Sequence, residues 1–195
     1  MRLILASASP RRAELLRAAG IEFELSPADV DERFLAGEKP EGAVVRLAEQ
    51  KAAAIAAGQP DAVVLGADTT VVVGGEALGK PADGADAARM LRLLSGRAHE
   101  VLTGICLRAA GRKLVHLEAT RVRMLKLSEA EIAWYLSTGE AFDKAGAYAV
   151  QGLASRFIGG IDGSYSNVVG LPISSVYELL KELGCDTLGP IPYDA

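Results

Sequence analysis

Three stretches of this sequence combine reactive residue types with spacings that let them act together. In the first, an apolar run from Leu3 to Ala6 leads into Ser7-Ala8-Ser9-Pro10-Arg11-Arg12, a small-residue turn that opens a helix. Such a turn directs backbone N–H groups outward and makes an anion site. The helix dipole opposes each cation in a first turn by about 0.3–1 kcal/mol. A bound phosphate would explain Arg11 and Arg12, because it reverses the local charge and accepts paired contacts from guanidinium groups. Two solvated arginines at an exposed helix start are the alternative.

The second stretch is Gly66-Ala67-Asp68-Thr69-Thr70, where an acidic residue follows directly on the most hydrophobic run of the chain, Ala62 to Ala67. A carboxylate placed at the end of a buried strand can bind a divalent metal or deprotonate an attacking water. It can also simply cap an Asx turn. Lys51, Lys80 and Arg97 recur at segment ends, in loops or, for Lys51, in an Ala-rich helix. Singly each reads as a surface charge; with Arg11 and Arg12 they would cradle a triphosphate if the fold gathers them. Gly74-Gly75-Glu76-Ala77-Leu78-Gly79-Lys80 imitates a Walker A loop, but Pro81 stands where Ser or Thr should ligate magnesium and no helix opens there. A P-loop NTPase is therefore rejected.

The third stretch has two parts, Asp143 to Gly152 and Gly163 to Pro172, both mixing glycines with single polar side chains. Backbone of this kind lies close to ligands, although ordinary glycine-rich loops look the same. Gln151 is a candidate base reader, since an amide both donates to and accepts from a pyrimidine edge.

The elements that must position these residues follow from patterning. Strands are expected at Leu3–Ala6, Glu22–Leu25, Ala62–Ala67 with β structure resuming over Thr69–Val73, Val101–Leu107, Lys113–Leu127 and Phe157–Ile161. Helices are expected at Pro10–Ala19 with Ser9 as cap, Glu41–Ala57, Ala85–Leu94, Pro172–Leu183, and from the capping box Ser128-Glu129-Ala130-Glu131 to about Ser137. Gly74-Gly75 supplies a hairpin turn. Adjacent strands often lack an intervening helix, so a mixed sheet is expected rather than a doubly wound one. With no repeat or linker, the 195 residues read as one α/β domain spanning 1–195, with a cleft.

Composition narrows the function classes. Aromatics make up only 5% of the chain while half of it is hydrophobic, so the core is built from Ala, Val, Leu and Ile. A net charge of −4 argues against nucleic acid as a partner but allows a local basic site for a small anion. The apolar stretch after Met1-Arg2 is too short for a secretory signal or a membrane span, so no membrane partner and a cytoplasmic location are expected. Cys106 and Cys185 have no metal or disulfide spacing and read as reduced thiols.

Taken together, Leu5 to Arg12, Gly66-Ala67-Asp68-Thr69, Ser95-Gly96-Arg97, Asp143 to Tyr148 with Gln151-Gly152, and Asn167 to Pro172 resemble the Maf family of house-cleaning nucleotide pyrophosphatases, once described as septum-formation inhibitors. The resemblance covers nearly the whole chain in the family's order. It implies a mixed-sheet α/β fold of the Maf and inosine-triphosphatase kind, with two lobes around a cleft, and a homodimer. It also implies hydrolysis between the α and β phosphates, with Mg²⁺ or Mn²⁺ as cofactor. Carried over by position, Asp68 matches the catalytic acidic residue; Arg11, Thr69 and Gln151 match positions tied to substrate choice. Ser7, Arg12, Glu32, Lys51 and Lys80 match other cleft positions, with Glu32 and Asp68 at the metal. Asp143 to Tyr148 with Gln151 is similar to the branch acting on dTTP and UTP, although Ala149 stands where Gly is more usual; modified pyrimidine triphosphates are also within its reach. The rival readings are a pyrophosphatase for 7-methyl-GTP or non-canonical purine triphosphates, and a nucleotide-binding division regulator without catalysis.

Overall fold

The computed structural model describes residues 2–185; Met1 and residues 186–195, the two ends of the expected domain, lie outside the described residues. A seven-stranded sheet runs in the order β2-β1-β3-β5-β6-β7, with β4 paired to β3. Its strands are β1 (Leu3–Leu5), β2 (Glu24–Leu25), β3 (Val63–Val73), β4 (Glu76–Leu78), β5 (Ala98–Ala109), β6 (Arg112–Met124) and β7 (Ile158–Asp162). The sheet is mixed, as the scarcity of crossover helices predicts. β1 pairs in parallel with both β2 and β3, whereas β3–β4 and β6–β7 are antiparallel. Among the described residues, no helix is long and apolar enough to cross a membrane.

The chain divides into two compact units. Among the described residues, one takes those up to Asp68, Thr103–Glu118 and those from Gly170; the other takes Thr69–Leu102 and Ala119–Val169. The boundaries fall inside β3, β5 and β6.

In the first unit, both sheet faces are covered, which is why its strands read as unbroken apolar runs. Leu3, Leu5, Leu65, Ile105 and Leu107 face one way. There they meet Ala13 and Leu16 of α1 (Pro10–Ala18) and Val176 and Leu180 of the last helix, α6 (Ile173–Glu182). Ile4, Ala6, Val64 and Cys106 face the other way, onto Ala48 and Ala52 of α2 (Pro40–Ala56). Burial pushes the Cys106 thiol up to about 11, which keeps it protonated and inert. The α2 helix lies unusually close to the sheet. A Cβ on Gly66 would stand 2.2 Å from the Ala48 carbonyl oxygen, and one on Gly104 2.4 Å from that of Val44.

In the second unit, α3 (Gly84–Leu94) buries Ala87, Met90, Leu91 and Leu94, one face at helical spacing. Its N-cap Asp83 accepts the Asp86 N–H at 2.8 Å. The expected capping box opens α4 (Glu129–Ser137), with both reciprocal Ser128–Glu131 bonds made. Gly74 and Gly75 both take positive φ between β3 and β4, so the Walker-like stretch is a tight hairpin. The stretch from Gly163 to Pro172 is not only loop, because α5 (Tyr165–Val169) lies within it. Two short 3-10 turns, Ala145–Ala147 and Leu153–Phe157, precede β7, which begins one residue later than its apolar pattern suggests.

Candidate active site

Asp68 lies inside β3, the sixth of eleven strand residues, rather than at a strand end. The β-branched run Thr69–Val73 carries the strand onward, so the Asx-turn alternative falls away. The Asp68 side chain is nearly buried, and it accepts a hydrogen bond from Lys51 Nζ at 2.7 Å. The same ammonium lies 2.6 Å from Glu32 Oε1, whose side chain is 57% exposed. Lys51 is itself buried, and its reach follows from the close seating of α2: it sits one residue before Ala52, whose amide N a Gly66 Cβ would approach to 2.7 Å. A buried ammonium is tolerated only when paired, and here two carboxylates converge on it.

Arg12 lies beside this cluster, on α1. Its Nη1 donates to Ser7 Oγ at 3.0 Å and to the Ala67 carbonyl at 2.9 Å, and its Nε donates to the Gly170 carbonyl at 2.8 Å. Burial lowers the Arg12 pKa from its ordinary value; Asp68 and Glu32 pull the other way, and Arg11 adds to the lowering. The dipole conflict at this helix start is thus answered, for Arg12, by carbonyl and hydroxyl acceptors within the protein. Ser7 is buried as well, and its oxygen also accepts the Ser9 N–H at 3.2 Å. Ser9 occupies the N-cap position, but its side chain makes no cap bond, contrary to expectation. Arg11 remains partly exposed.

Six of the nine predicted residues belong to the first unit, where Ser7, Arg12, Glu32, Lys51 and Asp68 gather and Arg11 lies next to Arg12 on α1. The other three belong to the second. Thr69 follows Asp68 along β3 and is half-buried. Lys80 is exposed, just past β4, and the carbonyl of the preceding Gly79 accepts the Gly146 N–H at 3.0 Å, which ties the Lys80 loop to the Asp143–Tyr148 motif. Gln151 is exposed between buried Ala149–Val150 and the 3-10 turn at Leu153. Arg97, weighed as a further phosphate ligand, is exposed. Its Ser95-Gly96-Arg97 motif bonds to the end of β6 and beyond: Gly96 N–H to the Leu125 carbonyl, Met124 N–H to the Arg97 carbonyl, and Leu127 N–H to Ser95 Oγ at 2.7 Å.

Several organising residues lacked a sequence-level role. Buried Asn167 donates through Nδ2 to the Val101 carbonyl and to Thr120 Oγ1, each at 3.0 Å. His99 Nε2 and the Tyr148 hydroxyl are 2.7 Å apart in the core of the second unit, and burial pushes the His99 pKa down to about 4. Tyr135 and Glu140 hold the backbone around Gln151. A lone tyrosine, histidine or glutamate without periodic company gives no signal of this kind.

Among the described residues, no three His, Cys, Asp or Glu side chains gather as a metal set. The pair Glu32 and Asp68 nonetheless converges on one cation, Lys51 Nζ, and two carboxylates are donors that hard divalent cations accept.

A carboxylate buried in a mixed-sheet α/β unit, paired with a buried lysine and flanked by arginines, is chemistry suited to activating water beside a polyanion. Comparison with known proteins specifies the class. Residues 2–183 match the family model described as Maf-like protein, and the chain belongs to that family. It is similar to the dTTP/UTP pyrophosphatase of Koribacter versatilis (strain Ellin345), at 54% identity over 94% of this chain and 95% of that one. It is also similar to the dTTP/UTP pyrophosphatase of Anaeromyxobacter dehalogenans (strain 2CP-C), at 52% identity over 99% and 97%. In fold it is similar to the Staphylococcus aureus Ham1 protein, with a TM-score of 0.53 at 14% identity, covering 94% of this chain and all of that one.

Proposed function

We propose that this protein hydrolyses UTP and dTTP to the nucleoside monophosphate and pyrophosphate, with Asp68 as the catalytic carboxylate. Relatives of that name at more than half identity support the reaction, and the observation that carries the residue is the buried Lys51–Asp68 pair at 2.7 Å. Lys51 orients the Asp68 carboxylate through its hydrogen bond, and Asp68 is the group that takes the proton. A water attacks the α phosphorus, its proton passes to Asp68, and the α–β anhydride bond breaks as pyrophosphate leaves. Arg11, Lys51 and Lys80 compensate the charge of the triphosphate, and Arg12 with Ser7 shapes the turn that receives it. Thr69 and Gln151, with Arg11, select the nucleotide; modified pyrimidine triphosphates fall within the same selection.

Glu32 and Asp68 would hold a divalent cation, Mg²⁺ or Mn²⁺. Such an ion, when bound, neutralises phosphate charge and polarises the phosphorus. The enzyme works in the cytoplasm as a homodimer on free nucleotides, with neither nucleic acid nor membrane as partner; the net charge of −4 supports the former exclusion.

The test is pyrophosphate release with Mg²⁺ or Mn²⁺ across dTTP, UTP, CTP, ITP, GTP and 7-methyl-GTP, beside Asp68→Asn. Release concentrated on dTTP and UTP is expected, with turnover in the variant reduced by at least about a thousandfold and nucleotide binding retained. Undiminished turnover in Asp68→Asn would remove Asp68 from the mechanism, and release from purines alone would overturn the substrate reading.

A further inference from the structure

Gln151 is exposed on a short segment whose backbone is held at both ends by two side chains from outside it. Before Gln151, the Ala149 N–H donates to the Tyr135 hydroxyl at 3.3 Å. After it, the Leu153 N–H donates to Glu140 Oε2 at 2.9 Å and the Ala154 N–H to Glu140 Oε1 at 3.4 Å. Tyr135 closes the loop by donating to Glu140 Oε1 at 2.8 Å. Within the segment, the Gly152 N–H returns to the Ala149 carbonyl at 3.2 Å, so residues 149–154 form a tight turn around Gln151.

The clamp is built to be stiff. Tyr135 is fully buried on α4, with its ring edge-on to Phe157 at 6.1 Å between centroids. Lys144 Nζ donates to the Glu140 carbonyl at 2.7 Å, which fixes the backbone that carries the carboxylate. Burial would raise the Glu140 pKa, but the N–H and hydroxyl donors outweigh it and hold the group below the ordinary carboxylate range.

Gly152 records the same arrangement. Its φ of −101° is open to any residue, so the backbone does not demand glycine there. A Cβ at this position would instead lie 2.3 Å from Glu140 Oε2. The glycine after Gln151 is thus the space that the Glu140 carboxylate occupies.

We propose that Tyr135 and Glu140 are positioning residues for nucleotide selection, fixing the backbone from which Gln151 reads the base. The proposal deepens the functional reading above and rests on it. A base-reading amide discriminates only if its direction is fixed, since a mobile one can satisfy any nucleotide edge. Glu140→Gln is the informative substitution. Fixed backbone N–H groups approach both carboxylate oxygens, so an amide NH₂ at either place sets donor against donor.

The experiment measures kcat and KM of wild type, Glu140→Gln, Tyr135→Phe, Gln151→Ala and the double variant Glu140→Gln/Gln151→Ala on UTP, dTTP, CTP and GTP. Wild type is expected to favour UTP and dTTP. Glu140→Gln should raise KM for these two by about tenfold, the worth of one lost hydrogen bond to a charged group, while kcat changes less than about threefold. The UTP-to-CTP and UTP-to-GTP ratios of kcat/KM fall accordingly, and Tyr135→Phe moves them in the same direction by less. In the Gln151→Ala background, Glu140→Gln should not change the ratios further. Equal losses on all four nucleotides, or undiminished selectivity, would overturn the positioning role while leaving the enzymatic reading intact. So would an undiminished effect of Glu140→Gln in the Gln151→Ala background. A wild type inactive on UTP and dTTP would remove the functional reading and this inference with it.

Discussion

Two glycines, one in each compact unit, are hemmed in by different kinds of neighbour. A Cβ on Gly66 would meet the main chain of α2, 2.2 Å from the Ala48 carbonyl and 2.7 Å from the Ala52 amide. A Cβ on Gly152 would meet the end of one side chain, the Glu140 carboxylate. The first contact seats the helix that carries Lys51 beside the strand that carries Asp68. The second contact orders a surface turn bearing Gln151. On the functional reading proposed above, charge chemistry would rest on packed backbone, and nucleotide choice on a turn held by a few hydrogen bonds. The second arrangement can change partner without dismantling a core, which is where specificity most easily varies.

Gly66→Ala is expected to produce the largest effect. Helix backbone cannot step aside within a closed core, so overpacking should cost at least about 3 kcal/mol in urea denaturation, with turnover falling as Lys51 moves from Asp68. Gly152→Ala should cost far less, about 1 kcal/mol, because a carboxylate can swing away. Its effect should appear in the ratio of UTP to CTP turnover. Equal stability losses in the two variants would break the contrast.

His99 gives the next effect, and it isolates the core of the second unit. Among the described residues, its Nδ1 has no hydrogen-bond partner and its Nε2 meets the Tyr148 hydroxyl, so an imidazolium there would be poorly satisfied. The folded pKa of about 4 lies below the ordinary 6.5. The unfolded chain therefore takes up the proton first, and stability is lost as pH falls from 6.5 to 4. Above 6.5 the group contributes no pH dependence. The integrated loss is about 3 kcal/mol. Urea midpoints of wild type and His99→Gln measured between pH 4 and 7 should differ in slope by about one proton, and parallel curves would refute the assignment.

How far the sequence discloses these features depends on how local their causes are. The Ala62–Ala67 run reads as a central strand because both faces of β3 are covered there, by Leu16 and its neighbours on one side and by Ala48 and Ala52 on the other. Asp68 is legible because an acid in such a run is costly without a purpose; its place inside a strand is not, since nothing before Thr69 says whether the strand stops. The protein partners of Arg12 are illegible for a different reason. Its acceptors on Ala67 and Gly170 lie 55 and 158 positions away, so a pair of arginines at a helix start gives no sign that Nε and Nη1 of one of them meet two distant carbonyls. Gln151 and Gly152 read as backbone near a ligand, but the group that approaches Gly152 is Glu140. Helix α5 is missed because five residues between glycines carry too little periodicity to outweigh turn chemistry.

The smallest expected effect separates two helix starts that local sequence treats alike. Ser9 and Ser128 both precede helices and both suit the N-cap. Ser128 makes the full box: Glu131 N–H donates to its Oγ at 3.3 Å, and its own N–H donates to Glu131 Oε2 at 2.7 Å. Ser9 makes no cap bond, and α1 has no acidic residue in its first turn, whereas α4 has Glu129 and Glu131 there. Ser128→Ala should therefore cost about 1 kcal/mol and Ser9→Ala only a few tenths, both read from urea midpoints without nucleotide. If α1 is the receiving end for a polyphosphate, Ser9→Ala should in addition leave the stabilisation by UTP unchanged, because ligand oxygens rather than a side chain would meet those amides. A loss at Ser9 equal to that at Ser128 would mean that the serine itself caps α1, and the distinction between a helix start closed by its own sequence and one kept for a ligand would fail.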